Sequence, residues 1–264
     1  MPQPSPSETV SSHSIRLDAV TLVRGSHRVF EGLTLDLQEM RIGLVGDNGA
    51  GKSSLFRLIS GLDQPEQGRV LVHGCDTQAD RGQLAKHVGL MFQNPDDQII
   101  FPTVAEELAF SLTARGETRQ AARRQARDFL ARRGLEAWAG RAVSELSQGQ
   151  RQQVCLLALQ ISEPATLLLD EPFASLDLLS QARLAAQLQE SDHQILVHAP
   201  AGACVRLRAR AVARAGQGAR RRAGPGDLRS LCRRRARACG GRAGAPCVAS
   251  IRNSRRGCMR LRRG

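Results

Sequence analysis

The chain has 264 residues, of which 41% are hydrophobic and 24% charged, and this length can bury the core of one large α/β domain. No apolar run approaches the roughly 18 residues that a membrane-spanning helix requires. The polar start of the chain, MPQPSPSETVSSHS, lacks the apolar segment of a signal peptide. These features exclude an integral membrane protein and a secreted disulfide scaffold.

The net charge of +13 is distributed unevenly. Residues 198–264 contain 19 Arg and a single acid, a net charge of +18, whereas residues 1–197 carry a net charge of −5. Arg, Ala, Gly and Cys supply 48 of those last 67 residues. A segment of this composition cannot bury enough apolar surface to offset the entropy cost of folding. GC-rich codons read out of frame give the same composition. We therefore predict a disordered lead over residues 1–14, a folded domain over 15–197, and a C-terminal segment (198–264) that is disordered or out of frame.

The folded part alternates between predicted strands and helices. Strands are expected over residues 14–20 and 31–37, in an antiparallel layer, and over 41–45, where a short buried strand ends in a glycine-rich loop. A helix over 51–62 is followed by strands over 68–72 and 87–91. Residues 103–141 are helical in character, with Gly134 as a stop signal, and Ser147 is the expected N-cap of the next helix. Apolar runs over 165–169 and 194–197 predict buried strands, so the class is α/β with a mostly parallel sheet.

A glycine-rich motif lies between the strand over 41–45 and the helix that follows it. It matches G-x-x-x-x-G-K-[ST], in which backbone N–H groups and the helix N-terminus surround phosphates, the lysine reaches the β- and γ-phosphates, and the hydroxyl ligates Mg²⁺. The alternative is a glycine-rich turn with an exposed lysine, but the chain has only two Lys and one stands here. The predicted ATP-binding residues are Gly46, Asp47, Asn48, Gly49, Ala50, Gly51, Lys52, Ser53 and Ser54.

Two carboxylates, Asp170 and Glu171, end the predicted strand over 165–169. Open α/β sheets place their ligands at the carboxyl ends of the strands. Asp170 is therefore a candidate Mg²⁺ ligand together with Ser53, and Glu171 is the candidate general base for the attacking water. Acids often end strands, so the pair is informative because it accompanies the phosphate-binding motif.

Three further segments resemble those of the ATP-binding subunits of ABC transporters. Gln93 follows a predicted strand and resembles the Q-loop glutamine, which in that family contacts Mg²⁺ or water. Residues 146–150 are similar to the LSGGQ signature, although an ordinary capped helix would also fit them. Residues 175–177 resemble the D-loop. The residues in these last two segments are Leu146, Ser147, Gln148, Gly149 and Gln150, and Ser175, Leu176 and Asp177.

This resemblance covers residues 15–197 and implies a P-loop NTPase with a RecA-like core, an antiparallel β layer and a helical subdomain over about 94–146. It implies ATP and Mg²⁺ as cofactors and a head-to-tail dimer, homo- or heteromeric, in which Ser147 and Gly149 face the γ-phosphate held by the partner. It also implies a peripheral protein on the cytoplasmic face of the membrane.

The surroundings of Gln93 indicate a branch of that family. Residues 92–98 (FQNPDDQ), 101–104 (FPTV) and 106–110 (EELAF) resemble the ATPases of energy-coupling factor importers. Such importers take up vitamins or cobalt and nickel ions through a substrate-binding and a coupling membrane subunit, and biotin is our first expectation for the substrate. The alternative is that these residues only build a polar turn before a helix.

The chain departs from the family pattern at three places. Arg24 stands where an aromatic residue usually stacks on adenine, a contact that a guanidinium can also make. Gln148 replaces a signature glycine. His198 comes one position before the expected switch histidine, where Ala199 stands, so we expect His198 to be a loop residue. A frameshift near Val197 is one hypothesis that explains both this displacement and the C-terminal segment.

A rival interpretation makes the C-terminal segment functional, as the nucleic-acid-binding end of a soluble ABC-type ATPase or of a pseudo-ATPase that lacks its switch. Counterion release would give such a segment strong binding to nucleic acid. The segment has no Phe, Trp or Tyr for base stacking, which argues against a nucleic-acid partner.

Overall fold

A computed structural model describes residues 14–46, 49–174, 176–198, 211–215 and 247–250. Asp47, Asn48 and Ser175, the lead over residues 1–13 and the remainder of the C-terminal segment lie outside the described residues. The elements in chain order are β1 (Ile15–Arg24), β2 (His27–Leu37), β3 (Arg41–Gly46), α1 (Lys52–Ile59), β4 (Gln67–Val72), β5 (Cys75–Asp76), α2 (Arg81–His87), β6 (Val88–Met91), α3 (Val104–Thr113), α4 (Arg119–Arg132), α5 (Gln148–Ile161), β7 (Thr166–Asp170), α6 (Leu178–Glu190), β8 (Gln194–His198), β9 (Ala211–Ala215) and β10 (Cys247–Ser250).

The first sheet is antiparallel, with the strand order β2-β1-β4-β5. Its strands alternate between buried apolar and exposed residues, as in β1, where Ile15 and Leu17 are fully buried and Arg16 between them is exposed. The buried face packs on α1, and Leu55, Leu58 and residues of β1, β2 and β4 form one apolar cluster. This sheet is the antiparallel layer predicted from the sequence.

The second sheet is parallel, with the strand order β10-β9-β3-β8-β7-β6. The apolar runs of β7 and β8 are buried throughout except at their last residues, Asp170 and His198. Because all described strands of this sheet point the same way, the carboxyl ends of β3, β6, β7 and β8 meet at one edge. This is the parallel α/β sheet that the sequence predicts.

Helices α3, α4 and α5 form a layer with an apolar core of its own. Leu108 of α3, Leu130 of α4 and Leu157 of α5 are each at most 1% exposed and belong to one cluster. The arginines of α4 lie on its exposed face. Gly134 follows the end of α4 with φ of 69°, a left-handed conformation that favours glycine and stops a helix. Among the helices of the described residues, none has both the length and the apolar character required to cross a bilayer.

The structure differs from the sequence-based expectation in the segments before and after β8. The sequence analysis does not predict helix α6, which buries only Ala185 and Leu188 and exposes Leu178 and Leu179. Within the C-terminal segment, β9 and β10 are strands, where composition predicts no regular structure. β9 hydrogen-bonds to β3 and β10 to β9, because a sheet edge offers unpaired N–H and C=O groups to any adjacent chain.

Candidate active site

The glycine-rich loop connects β3 directly to the N-terminus of α1. Gly51 has φ of 86°, and a Cβ added there would lie 2.9 Å from side-chain atoms of Val29 and Phe30, so only glycine fits without strain and without displacing these side chains. Lys52 begins α1 and is 6% exposed, and Ser53 is exposed beside it. The start of α1 therefore presents backbone N–H groups, an ammonium group and a hydroxyl, which suit a phosphate chain.

The ends of β7 and β8 place an acid beside a histidine. Asp170 and His198 are register partners in the parallel pair, and His198 Nδ1 lies 2.5 Å from Asp170 Oδ1. The Glu171 N–H donates to the His198 carbonyl at 2.9 Å, which carries the ladder one residue further. The expectation that His198 is a loop residue is therefore wrong, since pairing with β7 extends β8 to include it.

Glu171 lies in a strained turn at the same edge. Its φ of 50° is uncommon for a residue with a side chain, and such strain concentrates at functional sites. Gln93, which follows β6, donates from Nε2 to Glu171 Oε2 at 2.9 Å, and His198 Nε2 lies 3.8 Å from Glu171 Oε1. Three strand ends thus bring Gln93, Asp170, Glu171 and His198 into one polar cluster.

The signature-like segment forms the N-terminus of α5. The Ser147 hydroxyl accepts from the Gln150 N–H at 3.3 Å, and the Gln150 side chain accepts from the Ser147 N–H at 3.0 Å, which makes a capping box. Ser147 and Gln148 are exposed. The segment is therefore an ordinary capped helix start, and its first two residues are exposed.

The D-loop-like segment leads into α6. Asp177 caps this helix by accepting from the N–H groups of Leu179 and Ser180 at 2.9 Å, and the Ser180 hydroxyl donates to it at 2.7 Å. Hydrogen bonds from the backbone N–H and hydroxyl of Ser180 lower the pKa of Asp177 below its usual value. Leu178 and Leu179 are 72% and 61% exposed, so the start of α6 presents an apolar surface.

Arg24 does not lie free above the phosphate-binding loop. Its guanidinium pairs with Asp63, which also pairs with Arg57 at 3.0 Å, on an open cleft of about 550 Å³. Val29 and Phe30 of β2 are the side chains that lie against Gly51. The sequence analysis singles out neither these two residues nor Asp63. The contacts of Gly51 with β2 and of Arg24 with Asp63 join residues more than 20 positions apart, and no spacing in the sequence indicates them.

Comparisons with known proteins agree with this geometry. Residues 30–174 match the ABC transporter family. The biotin transport ATP-binding protein BioM of Rhodobacter capsulatus is 50% identical over 175 residues, which are 66% of this chain and 75% of the relative. The energy-coupling factor transporter ATP-binding protein EcfA of Methanoculleus marisnigri is 36% identical over 171 residues, 64% of this chain and 62% of the relative.

A solved ATP-binding cassette has the same fold, with a TM-score of 0.60, 25% identity, and coverage of 71% of this chain and 88% of the other. That protein was solved as a dimer in a post-hydrolysis state, bound to ADP and phosphate. The fold and the site define a P-loop NTPase. This chain belongs to the ABC transporter family as an ATP-binding, ATP-hydrolysing subunit related to the ATPases of biotin and energy-coupling factor transporters.

Proposed function

We propose that this chain is the ATPase of an energy-coupling factor importer and that the imported substrate is biotin. Hydrolysis is assigned to the cluster at the carboxyl ends of β6, β7 and β8, and the observation that carries this is the 2.9 Å hydrogen bond from Gln93 to Glu171. The substrate rests on the 50% identity to a biotin transport ATP-binding protein.

The phosphates of ATP are held by Gly46–Ser54 in this proposal. Backbone N–H groups at the start of α1 bind the phosphate oxygens, and Lys52 neutralises the charge between the β- and γ-phosphates. The position of Lys52 supports this role, because it is the first residue of α1 and its side chain starts beside these N–H groups. Asp47 and Asn48 complete the motif but lie outside the described residues.

Three side-chain oxygen donors, one on α1 and two at strand ends, suit a magnesium ion. The Ser53 hydroxyl, the Asp170 carboxylate and the Gln93 amide oxygen are the hard oxygen donors that Mg²⁺ prefers, and Mg²⁺ keeps several waters when few protein ligands are offered. In the part of the chain that the structure describes, no group of three or more His, Cys, Asp or Glu could form an all-protein metal cage. When bound, the ion would neutralise charge that develops on the phosphates.

Glu171 is the proposed general base. Its carboxylate would accept a proton from the water that attacks the γ-phosphate. Gln93 orients one carboxylate oxygen by its amide hydrogen bond, and His198 lies near the other. Because His198 is held by Asp170 and Ala199 occupies the expected switch position, we propose that turnover is slower than in a chain with the usual histidine.

The active unit is proposed to be a head-to-tail dimer, in which each subunit's signature segment faces the ATP of the other. The exposure of Ser147 supports this, as does that of Leu178 and Leu179 beside the D-loop-like segment. The domain over 15–197, with its helical subdomain over about 94–146, is the proposed unit of assembly. Arg24 would stack on adenine only after it leaves Asp63.

The importer role requires membrane partners and a peripheral position on the cytoplasmic face. The segment after Gln93 supports such a contact, because Ile100 is 71% exposed and Phe110 is 42% exposed next to Phe101. The buried carboxylate of Glu107 accepts the N–H groups of Ile100 and Phe101, both at 2.9 Å, and so holds this apolar surface in place.

Reconstitution tests this proposal. The chain is co-expressed with the coupling and biotin-binding membrane subunits of its own organism, and ATP-dependent biotin uptake into vesicles is measured against a Lys52→Ala control. We expect biotin uptake with the wild-type chain and none with Lys52→Ala. Assembly and ATP turnover without biotin uptake would refute biotin as substrate, and failure to assemble with the membrane subunits would refute the importer.

A further inference from the structure

Two glutamine side chains hold the backbone immediately after Glu171. Gln152 of α5 donates from Nε2 to the Pro172 carbonyl at 2.9 Å. Gln181 of α6 donates from Nε2 to the carbonyls of Phe173 and Leu176, at 3.1 Å and 3.0 Å. The turn that joins the candidate base to the D-loop-like segment is thus fixed from two helices.

The conformation of this turn sets where the Glu171 carboxylate points. Glu171 has a positive φ, its own N–H is held by His198, and its carbonyl accepts from the Ala174 N–H at 3.1 Å. A strained backbone persists only where its surroundings hold it. Gln152 is 3% exposed, and a buried N–H donor is unfavourable unless it is hydrogen-bonded. The Pro172 carbonyl accepts from Nε2, whereas Oε1 has no hydrogen-bond partner among the described residues.

Helix α5 touches the turn at a second point. Gly149, three residues before Gln152, approaches Leu176 so closely that an added Cβ would lie 3.2 Å from Leu176 Cδ2. We propose that Gln152 and Gln181 are positioning residues that hold Glu171 in its hydrolytic orientation and tie each signature helix to the hydrolytic site of its own subunit. This inference rests on the proposed role of Glu171 as the base.

Substitution of Gln152 by Met tests the inference, because Met has the same length but no N–H donor. The matched control is Gln160→Met on the same helix. Gln160 is 7% exposed and accepts from Gln187 of α6 at 3.3 Å, away from the turn. The full chain and both variants are compared by kcat, KM for ATP and unfolding temperature.

We expect Gln152→Met to lower kcat about tenfold or more, because small misplacements of a reacting group are costly. Its KM for ATP should stay within about twofold of the wild-type value. In the control Gln160→Met, kcat should be unchanged. Gln181→Met is expected to lower kcat with little change in KM in the same way, and it replaces Gln152→Met in the test if that variant does not fold. Unchanged kcat in the folded Gln variants, or equal losses in the control, would overturn the inference while leaving Glu171 as the base. If the wild type hydrolysed ATP no faster than Glu171→Gln, both this inference and the role of Glu171 as the base would be overturned.

Discussion

The parallel sheet and the helical layer of α3, α4 and α5 are built by the same apolar packing but carry different chemistry. In the sheet, buried strands end in polar side chains at one edge, so that Asp170 and His198 meet through strand register. In the helical layer apolar faces of α3, α4 and α5 pack on one another, and the polar signature-like segment stands at a helix start, at Ser147. The sheet edge therefore fixes the geometry of the proposed catalytic cluster, while the helical layer presents the signature-like segment at its surface.

Helix α5 belongs to both regions. Val154 and Leu157 pack in the helical core, whereas Cys155 and Leu156 pack against β7 and β8. Burial raises the pKa of the Cys155 thiol to about 12, so this residue acts as a small apolar side chain. Helix α5, which begins in the signature-like segment, therefore packs both in the helical core and on the parallel sheet.

The largest expected effect is that of removing the Lys52 ammonium group at the start of α1. Lys52→Ala removes the charge that faces the phosphates, and we expect ATP turnover to fall about 10²–10³-fold, the range for removal of one preorganised donor. Steady-state hydrolysis checks this, with the other lysine of the chain, Lys86→Ala, as the matched control. Equal losses in both variants would contradict the assignment.

Cavity-forming substitutions in the sheet and in the helical core should have similar effects on stability but different effects on kcat. Leu130→Ala in the helical core and Leu168→Ala in β7 each remove a fully buried side chain, and each should lower the free energy of unfolding by about 2–5 kcal/mol. Leu168 lies two residues before Asp170, so only Leu168→Ala should also reduce kcat at a temperature where both variants are folded. Denaturant unfolding and hydrolysis assays test this. An equal loss of kcat in Leu130→Ala would contradict the claim that only the sheet core affects the proposed catalytic cluster.

Removal of the cap of α5 should have a smaller effect. Ser147→Ala loses the acceptor for the Gln150 N–H, which should cost about 1 kcal/mol of unfolding free energy. Ser147→Asn retains a capping side chain and should restore this stability. If Ser147→Ala were as stable as the wild type by denaturant unfolding, the capping box would not support the signature helix.

The smallest expected effect is the pH dependence at the start of α6. The folded-state pKa of Asp177 is lowered, so its stabilising contribution is present above its unfolded pKa of about 3.9 and is lost as pH falls through the lower folded value. Asp177→Asn keeps a cap but removes the titration. The difference in unfolding temperature between wild type and Asp177→Asn should therefore shrink below about pH 4, and a constant difference would refute this.

The sequence predicts the parts of this fold that depend on local pattern. The glycine-rich motif, the capping Ser147 and the apolar runs of β7 and β8 are all readable from neighbours in the chain. Contacts set by the tertiary fold are not readable in this way. The extension of β8 to His198, the pairing of Arg24 with Asp63 and the contact of Gln152 with Pro172 join elements whose relative placement no spacing encodes.

The comparison of wild type with Glu171→Gln tests the central claim most directly. ATP turnover is measured for both proteins, and ATP binding is measured alongside as a control for the phosphate-binding loop. A general base at the sheet edge predicts that Glu171→Gln retains binding and loses at least about 10²-fold in turnover. Equal turnover in the two proteins would show that the strand-end cluster does not hydrolyse ATP in this chain.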